Sequence, residues 1–292
     1  MLALLKLIRP WQWVKNVFVL LPMFFAGKLL EPLCWREALI MFAAFSMAAS
    51  AVYCFNDAKD AEADRQHPKK RFRPVAAGKV SRTCAFMLAT LFSVLALCLC
   101  YFANADEWLT LAGILLLYLL LNLAYCLKLK QIGILDVMIV SFGFVLRLAS
   151  GGIACDIWLS PWIVSLTFLL ALFLAFAKRR DDVVIQRDKG IEMRKSVRQY
   201  NLDFLNQTLG IIAAVTIVCY IMYTVSPEVT KRLGSDYVYI TAIFVLGGIL
   251  RYLQISIVKE NSGSPTKVVL HDRFIQLMVV LWALVFAAII YF

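Results

Sequence analysis

A chain of 292 residues that is 62% hydrophobic, with mean hydropathy +0.78, carries more apolar surface than a water-soluble fold can cover. It reads as a polytopic membrane protein. The net charge of +11 then points to loops on one side of a bilayer and to anionic ligands, not to nucleic acid. The 8 cysteines are scattered, mostly inside apolar runs without a Cys-x-x-Cys pair, so nothing signals a disulfide framework or a zinc site.

The N-terminus places Lys6, Arg9 and Lys15 ahead of an apolar run, which mimics a signal peptide. No small-residue cleavage site follows, and Pro10, Trp11 and Trp13 have the character of an interfacial anchor, so the segment is expected in the mature protein. A spanning helix needs about 20 mostly apolar residues. Nine candidates follow in order, at 14–33, 36–55, 84–104, 108–127, 133–150, 159–177, 205–225, 237–257 and 273–291. The expected fold is all-α, a single transmembrane domain over 1–292, since only helices or closed barrels satisfy the backbone in lipid. Most of the 30 Lys and Arg lie at the N-terminus and on 56–83, 128–132, 178–204 and 258–272. The positive-inside rule puts these segments in the cytoplasm, and an odd number of spans puts the C-terminus outside. The loops after spans 2, 4 and 6 can then converge on one polar cavity facing the cytoplasm of an inner-membrane protein.

The most informative stretch is YCFNDAKDAEADRQHPKKRFRP, residues 53–74. With span 2 continued as helix, Asn56, Asp60 and Asp64 fall at i, i+4 and i+8, with Asp57 one turn before Asp60, so the four share a face. Oxygen-bearing side chains crowded beside an apolar span repel one another unless a cation joins them. Magnesium suits such a set, because it takes one or two carboxylates and completes its shell with phosphate oxygens. The plainer alternative is a solvated acidic helix end balanced by nearby bases. Lys69, Lys70, Arg71 and Arg73 follow and could neutralise a second anionic group, or touch lipid headgroups. Lys128 and Lys130 leave span 4, where snorkelling is the plain reading. Arg147 lies inside span 5 in LDVMIVSFGFVLRLASGG. An intramembrane arginine faces the bundle interior and has a partner, either an ion pair or a ligand phosphate. Asp136 lies about three turns earlier on the same face. Arg251 in span 8 has no motif around it, and His67 and His271 are isolated.

At these residues the chain resembles the UbiA superfamily of membrane-embedded prenyltransferases. Its NDxxDxxxD segment is matched by Asn56, Asp57, Asp60 and Asp64. RPWQWVKNVFVLLPMFFAG (9–27), NDAKDAEADRQHPKKRFRPVAAG (56–78), LDVMIVSFGFVLRLASGG (135–152) and AKRR (177–180) are similar to one branch, the decaprenyl-phosphate phosphoribosyltransferases of arabinan precursor synthesis. The last third of the chain matches that branch only weakly. Where ordinary members carry a second DxxxD motif, this chain has KRRDDVVIQRD, a cationic segment without that spacing. The resemblance implies a nine-helix UbiA-type bundle and a magnesium-dependent transfer of 5-phosphoribose from 5-phosphoribosyl 1-diphosphate to a polyprenyl phosphate entering from membrane lipid. It implies magnesium on Asn56 and Asp60 with Asp57 and Asp64 close by, and contacts from Lys15, Tyr53, Lys70, Lys130, Arg147 and Lys178 to the donor. Asp57 or Asp64 would stabilise an oxocarbenium-like transition state. Two rivals share parts of the pattern: a prenyltransferase that joins a prenyl diphosphate to an aromatic acceptor, and a transporter of anionic metabolites. Monomer and homo-oligomer are equally compatible with the sequence.

Overall fold

The structure, a computed structural model, describes residues 2–66, 70–189, 196–260 and 265–291, so His67 and Lys69 lie outside the described residues. Among the described residues it is all helix. Seven helical stretches among the described residues are long and apolar enough to cross a membrane, and they coincide with the second to eighth candidates. The ninth candidate is the shorter helix Arg273–Tyr291. The first departs from expectation. Residues 14–33 do not form one long helix; the chain runs as a 3-10 helix over Pro10–Val19 and then a short α-helix over Leu21–Phe25. An isolated 3-10 run of that length is uncommon because its hydrogen bonds are poorly aligned. Side-chain rungs hold it here, with Trp13 Nε1 donating to Ser50 Oγ at 3.1 Å and Asn16 Nδ2 donating to Ser46 Oγ at 2.9 Å.

The chain folds into two compact units, residues 1–128 with 143–159, and residues 129–142 with 160–292. In the first unit the Pro32–Lys59 and Arg82–Ala103 helices pack along their length through small residues. Ala44, Ala48 and Ala51 on one, and Ala85, Ala89 and Ala96 on the other, are buried. Small side chains let backbones approach closely, which drives helix association where lipid removes the hydrophobic driving force. Pro32 opens the first of these helices at its first turn, and Ser81 caps the second by accepting from the Cys84 N–H at 3.1 Å. Lys59 closes the Trp108–Leu127 helix, donating to the carbonyls of Cys126 and Leu127 at 2.7 and 3.1 Å. A cation on the last carbonyls satisfies groups that the helix itself leaves open.

In the second unit Pro161–Lys189 is a single helix, so the segment expected to be loop from 178 onward is helical as far as 189. No proline or glycine interrupts it, and its charged end is paired: Arg179 donates to Asp182 one turn on at 2.9 Å. Leu202–Thr224 is capped by Asn201, which accepts from the Phe204 N–H at 2.7 Å. The Ala242–Leu253 helix widens into a π-turn over Gln254–Val258. The core of this unit gathers Phe173, Phe176, Leu205, Leu209, Ile249 and Tyr252.

Candidate active site

The Asp-rich stretch ends the Pro32–Lys59 helix. The helix closes at Asp60, whose N–H donates to the Asn56 carbonyl at 2.9 Å, and a further turn, Ala61–Gln66, carries Asp64. The Asp64 N–H donates to the Asp60 carbonyl at 2.8 Å, so the helical bonding pattern continues through the bend. Asn56 and Asp60 are half-buried, while Asp57 and Asp64 are buried.

Arg9 reaches this group from 48 residues earlier in the chain. Its backbone is left-handed, φ 54°, at the junction of the Leu2–Ile8 helix and the 3-10 helix that opens with Pro10. Proline keeps the residue before it out of the right-handed helical region, and the left-handed one costs a non-glycine residue about 1–2 kcal/mol. The turn aims the guanidinium at Asp57 Oδ1, 2.6 Å away, and lays it over the Tyr53 ring at 4.7 Å. Arg73 meets the same oxygen at 3.3 Å and Asp64 Oδ2 at 2.7 Å. Two arginines thus bind two carboxylates. Asp57 Oδ2 is buried and accepts no hydrogen bond. A buried carboxylate oxygen without a donor is costly, and a ligand hydroxyl or a cation could satisfy it.

Lys15 and Arg147 lie in the same unit as the Asp-rich segment. Arg147 is buried, and Nε donates to Asn16 Oδ1 at 2.7 Å, Nη1 to the Gly143 carbonyl at 2.7 Å, and Nη2 to Tyr118 Oη at 2.9 Å. The rings of Phe45, Tyr118 and Phe144 surround it. These partners are neutral. Asp136, on the same helix face by spacing, bonds instead within the second unit, to Arg179 Nε at 2.6 Å and Tyr200 Oη at 3.0 Å. Lys15 is half-buried on the 3-10 segment, outside the helices of crossing length. Burial, and then the positive charges of Arg147 and Arg9, pull its ammonium down to about 8.

In the second unit the AKRR motif divides its labour. Lys178 is exposed. Arg179 is spent on Asp136 and Asp182, and Arg180 on Asn206 and on the Ser256 and Ile257 carbonyls of the π-turn. Lys130 is half-buried on the short 3-10 turn Leu129–Gln131. Lys70 lies on another, Lys70–Phe72. Arg251 pairs with Asp272 at 2.8 Å, which accounts for an intramembrane arginine without a motif.

The Asp-rich segment carries hard oxygens: the Asn56 amide, the Asp60 carboxylate and Asp57, whose Oδ2 is orphaned. Among the described residues no three acidic, His or Cys side chains converge on one point. Hard oxygens of this kind could hold a divalent cation that brings anionic ligands of its own. Arg9, Asn16 and Tyr118 were not singled out from the sequence. A lone amide in an apolar run carried some signal, because a buried polar group needs a partner.

The UbiA prenyltransferase family matches residues 16–275. The chain is 35% identical to the decaprenyl-phosphate phosphoribosyltransferase of Mycolicibacterium smegmatis, over 99% of this chain and 93% of that protein. It is 31% identical to the Corynebacterium glutamicum protein of the same name, over 99% of this chain and 87% of the other. A solved UbiA homolog from Archaeoglobus fulgidus, bound to DMAPP and Mg2+, superposes with TM-score 0.72 at 17% identity, covering 99% of both chains. At that identity the likeness speaks for the fold alone.

Proposed function

Because the chain belongs to the UbiA prenyltransferase family, we propose that it transfers 5-phosphoribose from 5-phosphoribosyl 1-diphosphate to a polyprenyl phosphate of the decaprenyl type. The products are polyprenylphosphoryl-5-phosphoribose, a precursor for cell-wall arabinan, and diphosphate. The observation that carries this reading is the pairing of Asp57 and Asp64 with Arg9 and Arg73 beside Asn56 and Asp60. Two guanidiniums hold these carboxylates in place next to the oxygens proposed for a cation-bound diphosphate. The two relatives named above for this reaction, aligned over nearly the whole chain, supply the substrate class.

In this mechanism an oxygen of the lipid phosphate attacks C1 of the ribose while the bond from C1 to the diphosphate oxygen breaks. The electron pair leaves with diphosphate, and inversion of an α donor gives a β linkage. The acceptor is already an anion, so no strong general base is needed. Asn56 and Asp60 would hold magnesium, whose role is to neutralise charge on the leaving diphosphate. Lys15, Tyr53, Lys70, Lys130, Arg147 and Lys178 are the proposed contacts to the donor's phosphates and ribose. Asp57 and Asp64 are the carboxylates proposed to oppose positive charge on the ribosyl carbon. Fixed cations and carboxylates act here by electrostatic preorganisation and by holding two repelling anions together. This chemistry is proposed at the cytoplasmic face of the inner membrane, a side that the positive-inside pattern supports.

The test is incubation of the purified protein with labelled 5-phosphoribosyl 1-diphosphate, magnesium and decaprenyl phosphate, followed by lipid extraction. Label in the lipid phase is expected. Transfer of a labelled prenyl group from prenyl diphosphate to an aromatic acceptor instead would replace this reading with the ordinary family reaction.

Lys15 adds a pH signature. Its ammonium is charged below about 8 and neutral above it. Attraction for a polyanionic donor is therefore complete below that pH and lost as pH rises through it. Donor kcat/KM, which reports the free enzyme, is expected to fall above about pH 8. Lys15→Arg, which stays charged, flattens this limb; an unchanged limb in that variant assigns the titration to another group.

A further inference from the structure

Lys130 sits on a turn that the sequence alone cannot fix. The backbone just after it is strained: Ile134 has φ 66°, a left-handed conformation that a β-branched residue rarely adopts. Something outside the turn must hold it, and the residues that do so come from 199 and 200. The Gln199 side chain grips the turn with both ends of its amide. Its Oε1 accepts from the Gly133 N–H at 2.8 Å, and its Nε2 donates to the Gln131 carbonyl at 3.1 Å. The Ile134 N–H donates to the Tyr200 hydroxyl, and that hydroxyl donates to Asp136 Oδ1 at 3.0 Å. Asp136 in turn accepts from Arg179 Nε at 2.6 Å. Arg179 directly follows Lys178 on the Pro161–Lys189 helix.

One chain of hydrogen bonds therefore runs from the turn that bears Lys130 to the helix that bears Lys178, wholly inside the second unit. Burial, above all, keeps the Tyr200 phenol up at about 12, so it remains a donor to Asp136 at any working pH. The ring itself is secured separately, stacked on Phe204 at 6.0 Å and edge-on to Phe176 at 6.1 Å. Packing explains the ring; it does not explain why the hydroxyl and the neighbouring amide are both spent on one strained turn.

We propose that Tyr200 and Gln199 are positioning residues: they set the Lys130 turn in register with Lys178 so that both cations meet the phosphates of the donor. This rests on the reading of Lys130 as a donor contact. A cation displaced by a fraction of an ångström loses much of its hold on a bound phosphate, whereas the hydrophobic acceptor is untouched. The variants are Tyr200→Phe, which keeps the ring and removes one oxygen, and Gln199→Ala at an exposed position.

Steady-state kinetics of the full-length protein with 5-phosphoribosyl 1-diphosphate, magnesium and decaprenyl phosphate read the effect. Each variant is expected to raise the donor KM about tenfold, as for a lost hydrogen bond to a charged site, with kcat within about twofold and lipid KM unchanged. Lys130→Ala is expected to raise donor KM by itself and to add little in the Tyr200→Phe background, because both changes act through one cation. Unchanged donor KM in Tyr200→Phe and Gln199→Ala, with Lys130→Ala impaired, overturns the positioning role and leaves the donor contact standing. Fully additive effects overturn it as well. Normal donor KM in Lys130→Ala removes the donor contact and the inference with it. Should Tyr200→Phe fail to fold, Gln199→Ala, on the surface and outside the core, decides the question alone.

Discussion

Asp60→Asn leaves a folded protein whose turnover falls by about 10^2–10^3-fold or more and whose residual rate hardly responds to magnesium. The size follows from removing a charged ligand of the leaving group's counter-ion, an interaction comparable to an oxyanion-hole donor. Folding is spared for a structural reason. Asp60 ends the Pro32–Lys59 helix, and its backbone holds the bend, with its N–H on the Asn56 carbonyl and its own carbonyl receiving the Asp64 N–H. An isosteric amide changes neither. Asp57→Asn is a poorer probe, because Asp57 Oδ1 is shared by Arg9 and Arg73. Breaking a fully buried pair costs about 3–5 kcal/mol, an upper figure here because both arginines keep some solvent. Magnesium titration of the initial rate, with thermal stability measured alongside, separates the two. Near-normal turnover in Asp60→Asn would place the metal somewhere other than Asn56 and Asp60.

The Asp-rich segment was legible in the sequence because carboxylates at helical spacing next to an apolar run have few plain explanations. The helices were legible for the same reason that hydropathy works in lipid: the backbone allows few alternatives. What could not be read was which distant groups meet. Arg9 reads as an interfacial charge in an N-terminal anchor, and only the left-handed turn before Pro10 sends it to Asp57. Arg147 and Asp136 share a helix face by spacing, yet the fold gives one to Asn16 and Tyr118 and the other to Arg179 and Tyr200. The first span misled because a hydropathy window counts apolar residues and is blind to the 3-10 geometry that follows Pro10. Two of the three bases in AKRR proved to be internal, which no charge pattern distinguishes from a phosphate-binding run.

Gly151→Ala is expected to prevent assembly, whereas Gly113→Ala in the same unit is expected to be neutral or slightly stabilising. A Cβ at Gly151 would be driven into the backbone carbonyl of Val19, and at Gly113 it would meet nothing within 4 Å. Backbone cannot rotate aside as a flexible side chain can. Relief requires the Pro10–Val19 segment to withdraw from the Leu135–Ala154 helix, and that motion pulls Asn16 away from Arg147 and from Ser46. The overpacking costs about 1–3 kcal/mol and each buried polar group left without a partner adds about 1–3 more. At Gly113 the alanine gains about 0.5–1 kcal/mol of helix preference with no opposing contact. The yield of monodisperse protein and its melting temperature check the pair. Equal melting temperatures for the two variants would show that the close approach of Gly151 to Val19 is absent in solution, and with it the contact that seats Lys15 and Asn16 beside Arg147.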